Sequence, residues 1–373
     1  MRLLHTTNLR LEKFPSPKHP DDGTSFRLDT RTGKAQKPPE YAILSHRWSE
    51  NEVSFIDIST GVHQNTEECY AYLFDVVWKP KGSGSRLTKE SPSGEPSDWF
   101  TRGWTLQELL APGTPCKSND KAPSITNSTM FFFDQNWTEI GQKADADLCT
   151  EISQHSLIRP EYIRSPGTHK NASIAMKMSW AARRSTEKLE DRVYSLFGVF
   201  DLQMSVLYGE GEANALMRLQ LELIARSDDQ SIFAWVKPSG YDKPDPCGML
   251  ATSLDDFENS NEIVNFPIKD KEKPLYHMTK EGLEFRVFNG WRTMNNLEGR
   301  SSNRKETIML ACKSSDGRNV DRHNVVVINL ERKGDSLQRV SYGKWNLSDK
   351  FSVTTSKWWV SPGLRRVFYV KQS

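Results

Sequence analysis

The chain has 373 residues, 36% of them hydrophobic and 26% charged, with 17 Phe, 11 Trp and 10 Tyr. That apolar mass is ample for sizeable cores, so global disorder is excluded, and the length points to two or three domains. Fifty Lys and Arg against 48 Asp and Glu leave a formal charge of +2, which gives no whole-chain case for a nucleic-acid or membrane-surface binder.

No run approaches the roughly 18–20 apolar residues that span a bilayer. The opening residues, MRLLHTTNLRLEKF, scatter charges where a secretory signal needs an apolar stretch. A soluble protein, cytoplasmic or nuclear, is therefore expected, and the cytoplasm is the compartment taken. The five cysteines, Cys69, Cys116, Cys149, Cys247 and Cys312, form no CxxC pair, and the eight histidines fall in no HExxH or Cys2His2 spacing. Reduced, mostly buried thiols and no structural metal are expected. Asn127, Asn136, Asn171 and Asn346 begin Asn-x-Ser/Thr triplets, read as chance matches in a chain without a secretion signal.

In chain order, an arm ending at Pro38-Pro39 leads into Tyr41-Ala42-Ile43-Leu44, a short apolar run that reads as a buried parallel strand. Cys69 to Val77 is strand-like in its aromatic and β-branched content. KPKGSGSRLTKESPSGEPSD, from Lys79 to Asp98, is a loop by composition. Helix signals run from Trp99 to Leu110 and stop at Pro112-Gly113. Met130 to Phe133 is one more short strand. Helices are predicted over Ala172–Arg184, Glu187–Phe197 and Glu210–Arg226. The last carries Leu216, Leu219, Leu223 and Ile224 as an amphipathic stripe, with acids at its start and Arg226 at its end. Beyond Trp235 come prolines and then short β-type runs, Leu283–Phe288 and Asn324–Leu330. The last 43 residues hold nine Lys/Arg against three Asp/Glu.

Three blocks resemble the fungal heterokaryon incompatibility (HET) domain family. They are YAILSHRW (Tyr41–Trp48) with EVSFIDI behind it; WFTRGWTLQELLAP (Trp99–Pro112) with FFFDQNW behind it; and the long string from Met178 to Ile224, ending in DDQSIFAW. The resemblance covers about residues 1–235. It implies nonself recognition and programmed cell death signalling, and more remotely a TIR-like α/β fold that can cleave NAD. One departure stands out. The family's central segment, a helix and a strand ending in a DTCCIDK-type motif, is missing near residues 61–67, where Ser59-Thr60-Gly61 runs almost directly into Cys69-Tyr70-Ala71-Tyr72. The expected architecture is thus an α/β, HET/TIR-like domain with an incomplete parallel sheet over 1–140, a helical extension over 141–235 and a β-rich C-terminal domain over 236–373.

The resemblance also nominates site residues. Trp104-Thr105-Leu106-Gln107-Glu108-Leu109 is similar to the W-C-x-x-E-L pattern of TIR domains, whose glutamate acts in NAD cleavage. That reaction passes through an oxocarbenium-like state that a carboxylate near the ribose can stabilise. Glu108 is the catalytic candidate, against the alternative of a solvated or ion-paired helix carboxylate. Ser45, His46 and Arg47 follow the first strand, at the edge where open α/β sheets take ligands. Arg47 and Arg102 are phosphate candidates, His46 a hydroxyl partner, and Trp104 a stacking platform or a core anchor. For His46 a structural hydrogen bond, and for Arg102 a surface ion pair, are the simpler readings. Asp98 and Thr101 are candidate caps for the helix. Tyr208-Gly209-Glu210-Gly211-Glu212 reads as a structural turn, and Glu190-Asp191-Arg192 as ion pairing between helices. NAD would be a substrate and no cofactor is required. A catalytically silent module acting by self-association or by binding other incompatibility proteins is the alternative function. Nucleic-acid binding through the basic C-terminus is the weakest.

Overall fold

The computed structural model describes residues 2–5, 11–13, 41–45, 68–79, 85–89, 94–111, 129–165, 167–237, 248–265, 276–280, 282–287, 305–314, 324–333, 336–346 and 366–370. Helices and mixed sheets make it α/β overall. The chain divides into two units, one of residues 1–170 with 197–203, the other of 171–196 with 204–373.

The first unit holds β1 (Arg2–His5), β2 (Leu11–Lys13), β3 (Tyr41–Ser45), β4 (Glu68–Tyr72), α1 (Thr105–Leu110), β5 (Thr129–Phe133), β6 (Glu139–Gln142), α2 (Ala146–Ser156) and α3 (Pro160–Arg164). Its strands order as β2-β1-β3-β4-β5-β6. Only β3, β4 and β5 pair in parallel; β1, β2 and β6 join antiparallel. The sheet is therefore mixed, where a parallel one was expected. Its period-2 burial is clear along β4 and β5. Cys69, Ala71, Met130 and Phe132 are buried, while Tyr70, Tyr72, Phe131 and Phe133 are half-buried. Against the buried face stands Trp99, edge-on to Phe132 at 5.6 Å and to Phe100 at 5.1 Å.

Two runs stop short of the sequence expectation, the first at a carboxylate and the second at an extended residue. The strand read from Cys69 to Val77 ends at Tyr72. The chain then turns at Phe74 and Asp75, whose carboxylate accepts from Ser97 Oγ at 2.5 Å and the Asp98 amide at 2.7 Å. The helix read from Trp99 to Leu110 splits into a 3-10 turn over Asp98–Thr101 and α1, parted where Arg102 takes extended backbone. Ser97, and not Asp98 or Thr101, caps the 3-10 turn by accepting from the Trp99 amide at 3.3 Å. The Thr105 hydroxyl donates to the carbonyls of Trp99 and Arg102 at 2.5 and 2.9 Å, stapling α1 to that turn. Beyond β5, the Asp134 carboxylate accepts from the amides of Trp78, Asn136 and Thr138 at 2.8–3.1 Å. Burial alone would raise its pKa; those backbone donors bring it below the usual carboxylate range.

The second unit holds α4 (Ile174–Ala182), α5 (Asp191–Tyr194) and α6 (Glu212–Arg226). It also holds a seven-stranded sheet of β7 (Ile263–Asn265), β8 (Tyr276–Thr279), β9 (Gly282–Val287), β10 (Lys305–Ser314), β11 (Asn324–Lys333), β12 (Ser336–Asn346) and β13 (Arg366–Val370). Every pairing in that sheet is antiparallel except β12 with β13. Ser173 caps α4, accepting from the Met176 amide, and every residue of the helix is buried. In α6 the stripe Leu216, Leu219, Leu223 and Ile224 is buried as its spacing predicts. Gln220 on the same helix is fully buried and holds Ala251 by both main-chain groups, at 2.9 and 2.8 Å.

The helix expected over Glu187–Phe197 is the single turn α5. Glu190, just before it, is committed elsewhere, accepting through one oxygen from the amides of Gly209 at 2.8 Å and Gly211 at 3.1 Å. Both glycines lie at positive φ, +94° and +78°, which their lack of a Cβ permits. The Tyr208–Glu212 turn is thus a backbone loop clamped by a carboxylate. Next to it, Arg192 pairs with Glu212 at 3.1 Å and Asp255 at 2.5 Å and donates to the Ala182 carbonyl at 2.8 Å. Arg192→Ala is expected to cost about 2 kcal/mol, since Asp255 is half-exposed and only part of the network is dry. Chemical denaturation at constant m-value measures it; a loss under about 0.5 kcal/mol would make the network ornamental.

Candidate functional site

The residues singled out in the sequence fall in the first unit. Glu108 sits on α1 and is 7% exposed, so it is a buried carboxylate and not a solvated one. Trp104, one turn earlier, is 5% exposed, a core position. Arg102 is half-buried at the extended residue before Gly103. Ser45 closes β3, opposite Ala71 of β4, while His46 and Arg47 lie outside the described residues.

Sequence reasoning missed the groups that surround Glu108. Cys69, on β4, is fully buried, and the charge of Glu108 acts on its thiol. Burial, then that charge, pushes the thiol up to about 12, against the pull of Lys143. Lys143 follows β6, is 6% exposed, and donates from Nζ to the Leu109 carbonyl at 3.0 Å. Burial lowers its ammonium to about 8, with Cys69 and Cys149 opposing. In register, Cys69 pairs with Ile43 and Met130, while Ser45 lies two residues on, level with Ala71. At about 3.3 Å per residue that is about 7 Å along the strands.

Gln107, beside Glu108, is buried too. A Cβ built on Gly198 would lie 3.0 Å from its Oε1, so the backbone of that glycine seats directly against Gln107. The structure therefore brings Glu108 and Lys143 within electrostatic reach of Cys69 and sets Ser45 one pleat away. No sequence signal pointed to Lys143, which lies in the plain polar string Gln142-Lys143-Ala144-Asp145.

Among the described residues no group of three or more His, Cys, Asp and Glu is arranged to hold a metal ion. Cys69, Cys149 and Cys312 are free and buried. No helix among them is long and apolar enough to cross a membrane.

No family model matches the chain, and no solved structure does. Over 268 residues it is 28% identical to the vegetative incompatibility protein HET-E-1 of Podospora anserina, a match covering 56% of this chain. The chain is distantly related to heterokaryon incompatibility proteins. It spans only 18% of the length of that relative, so a large part of the relative has no counterpart here.

Proposed function

We propose that this chain acts in vegetative incompatibility, as a cytoplasmic HET-type module that triggers or carries out programmed cell death after nonself recognition. The relationship to HET-E-1 is the observation that carries this reading. The architecture proposed with it is a TIR-like α/β domain over 1–140 that lacks the family's central segment, a helical extension over 141–235 and a β-rich domain over 236–373. Self-association, or contact with other incompatibility proteins, passes the signal on.

The finer proposal is that the module hydrolyses NAD, with Glu108 as the carboxylate that faces the ribose. Its burial supports this role. A carboxylate with 7% exposure stands in a low-dielectric setting, where it stabilises the growing positive charge of an oxocarbenium-like state far better than it would in water. Arg47 and Arg102 meet the phosphates, Ser45 and His46 the hydroxyls, and Trp104 backs the site from the core. NAD is the substrate, and no cofactor takes part.

The test is nicotinamide release from NAD by the purified full chain, with Glu108→Ala in parallel. Release by the parent that falls at least about 100-fold in the variant is the expected result, the scale of losing one electrostatic stabiliser. No release from a cooperatively melting parent would replace hydrolysis with a catalytically silent signalling module.

A further inference from the structure

Lys143 stands where a lysine is costly. A buried ammonium loses its hydration, and an apolar side chain of the same volume would fill the space more cheaply. Its main chain is fixed on the sheet, the amide donating to the Met130 carbonyl at 2.8 Å. Met130 pairs in register with Cys69, the thiol on which Glu108 acts. From that anchor the side chain reaches across to α1 and meets the Leu109 carbonyl at 3.0 Å.

Helix α1 needs such a partner. Six residues are too few to hold a helix by themselves, and the carbonyls of the last turn have no partner within it. The Ala111 amide takes the Gln107 carbonyl at 2.8 Å. The Leu109 carbonyl, next in the chain to Glu108, receives a cation, which also suits the negative end of the helix dipole.

We propose that Lys143 is the positioning residue for Glu108: its ammonium caps the C-terminal end of α1 from the sheet and so sets where the Glu108 carboxylate stands. This role rests on the reading of Glu108 as the reacting carboxylate. Among the described residues, Cys69 from β4 and Cys149 from α2 act on Lys143, and α1 faces it with the Leu109 carbonyl.

The experiment compares the full chain with Lys143→Met and reads two quantities. Amide hydrogen exchange over 105–111 is expected to speed up about tenfold or more, as for the loss of a charge-assisted hydrogen bond, while α6 in the other unit keeps its protection. With NAD as probe, kcat is expected to fall about tenfold with KM held, because the carboxylate is displaced and substrate binding is left intact. Unchanged exchange over 105–111 overturns the proposal, and so does faster exchange with kcat unaltered. If the parent releases no nicotinamide, the NAD reading fails by itself and the exchange result alone decides whether Lys143 sets the seat of Glu108. If Lys143→Met does not fold, Lys143→Arg, which keeps a cationic donor for Leu109, is expected to fold with the parent's exchange over 105–111; faster exchange there, or a failure to fold, overturns the proposal.

Discussion

Trp99→Ala is expected to cost the first unit about 4 kcal/mol and to loosen the candidate site with it. The indole is fully buried, edge-on to Phe100 and Phe132. Truncating it leaves a large cavity in close-packed surroundings that relax only in part. Edge-to-face ring pairs add about 1 kcal/mol each beyond area burial. The indole's loss also reaches α1, because the Trp99 carbonyl receives the Thr105 hydroxyl. Trp137→Ala is the control. That ring is 51% exposed and stacks on Tyr72 at 4.7 Å, so its truncation is expected to cost under about 1 kcal/mol. Urea titrations followed by circular dichroism measure both, and equal losses would refute the placement of the core.

Alkaline pH is expected to unfold the first unit, and Cys69→Ala to blunt that response. The folded chain raises the Cys69 thiol from 9.0 to about 12, so it holds a proton that the unfolded chain gives up. The stability from this group is complete below pH 9 and is lost as pH climbs toward 12. Three units amount to about 4 kcal/mol at the top of that window. Lys143 acts with the opposite sign. Its ammonium falls from 10.5 to about 8 on folding, so the burden of burying its charge is full below pH 8 and is relieved between pH 8 and 10.5. From these two groups the parent is therefore expected to gain slightly from pH 8 to 9, to hold level from 9 to about 10.5 while they offset one another, and to lose stability above that, where the thiol acts alone. Cys69→Ala adds a cavity cost that does not depend on pH, so the pH dependence of the difference between the two chains reports the thiol together with its coupling to Lys143. Urea midpoints at pH 8, 9, 10 and 11 supply that difference, and two parallel curves would sink the assignment.

The elements legible in the sequence are those written in local periodicity. Helix α6 shows its buried leucines at steps a helix requires, and Tyr41–Leu44 and Met130–Phe133 are short apolar runs that become strands. Two of the misplaced boundaries share a cause, a carboxylate whose partners are distant in sequence. Asp75 ends the strand run by binding Ser97 and Asp98, and Glu190 breaks a helical stretch by binding Gly209 and Gly211. No window of neighbouring residues contains that information. The candidate site divides in the same way. Glu108 was visible through a pattern of adjacent residues, whereas Cys69 comes from β4 and Lys143 from just beyond β6, through pairings whose register depends on the assembled sheet. Sequence position also says nothing of exposure, and exposure is what separates a solvated helix carboxylate from the buried one found at Glu108.

The stretch 197–203 belongs with the first unit although the chain on both sides of it belongs with the second. During synthesis the N-terminus emerges first, so the first unit stays unfinished until that stretch has been made. Residues 171–196, which carry the apolar helix α4 of the other unit, are therefore made before the first unit has its last stretch. The two units thus alternate along the chain. A fragment ending at residue 170 lacks Gly198, whose backbone seats on Gln107, and one beginning there carries a stray strip of its neighbour. A cut at residue 170 therefore cannot release the first unit with all of its residues.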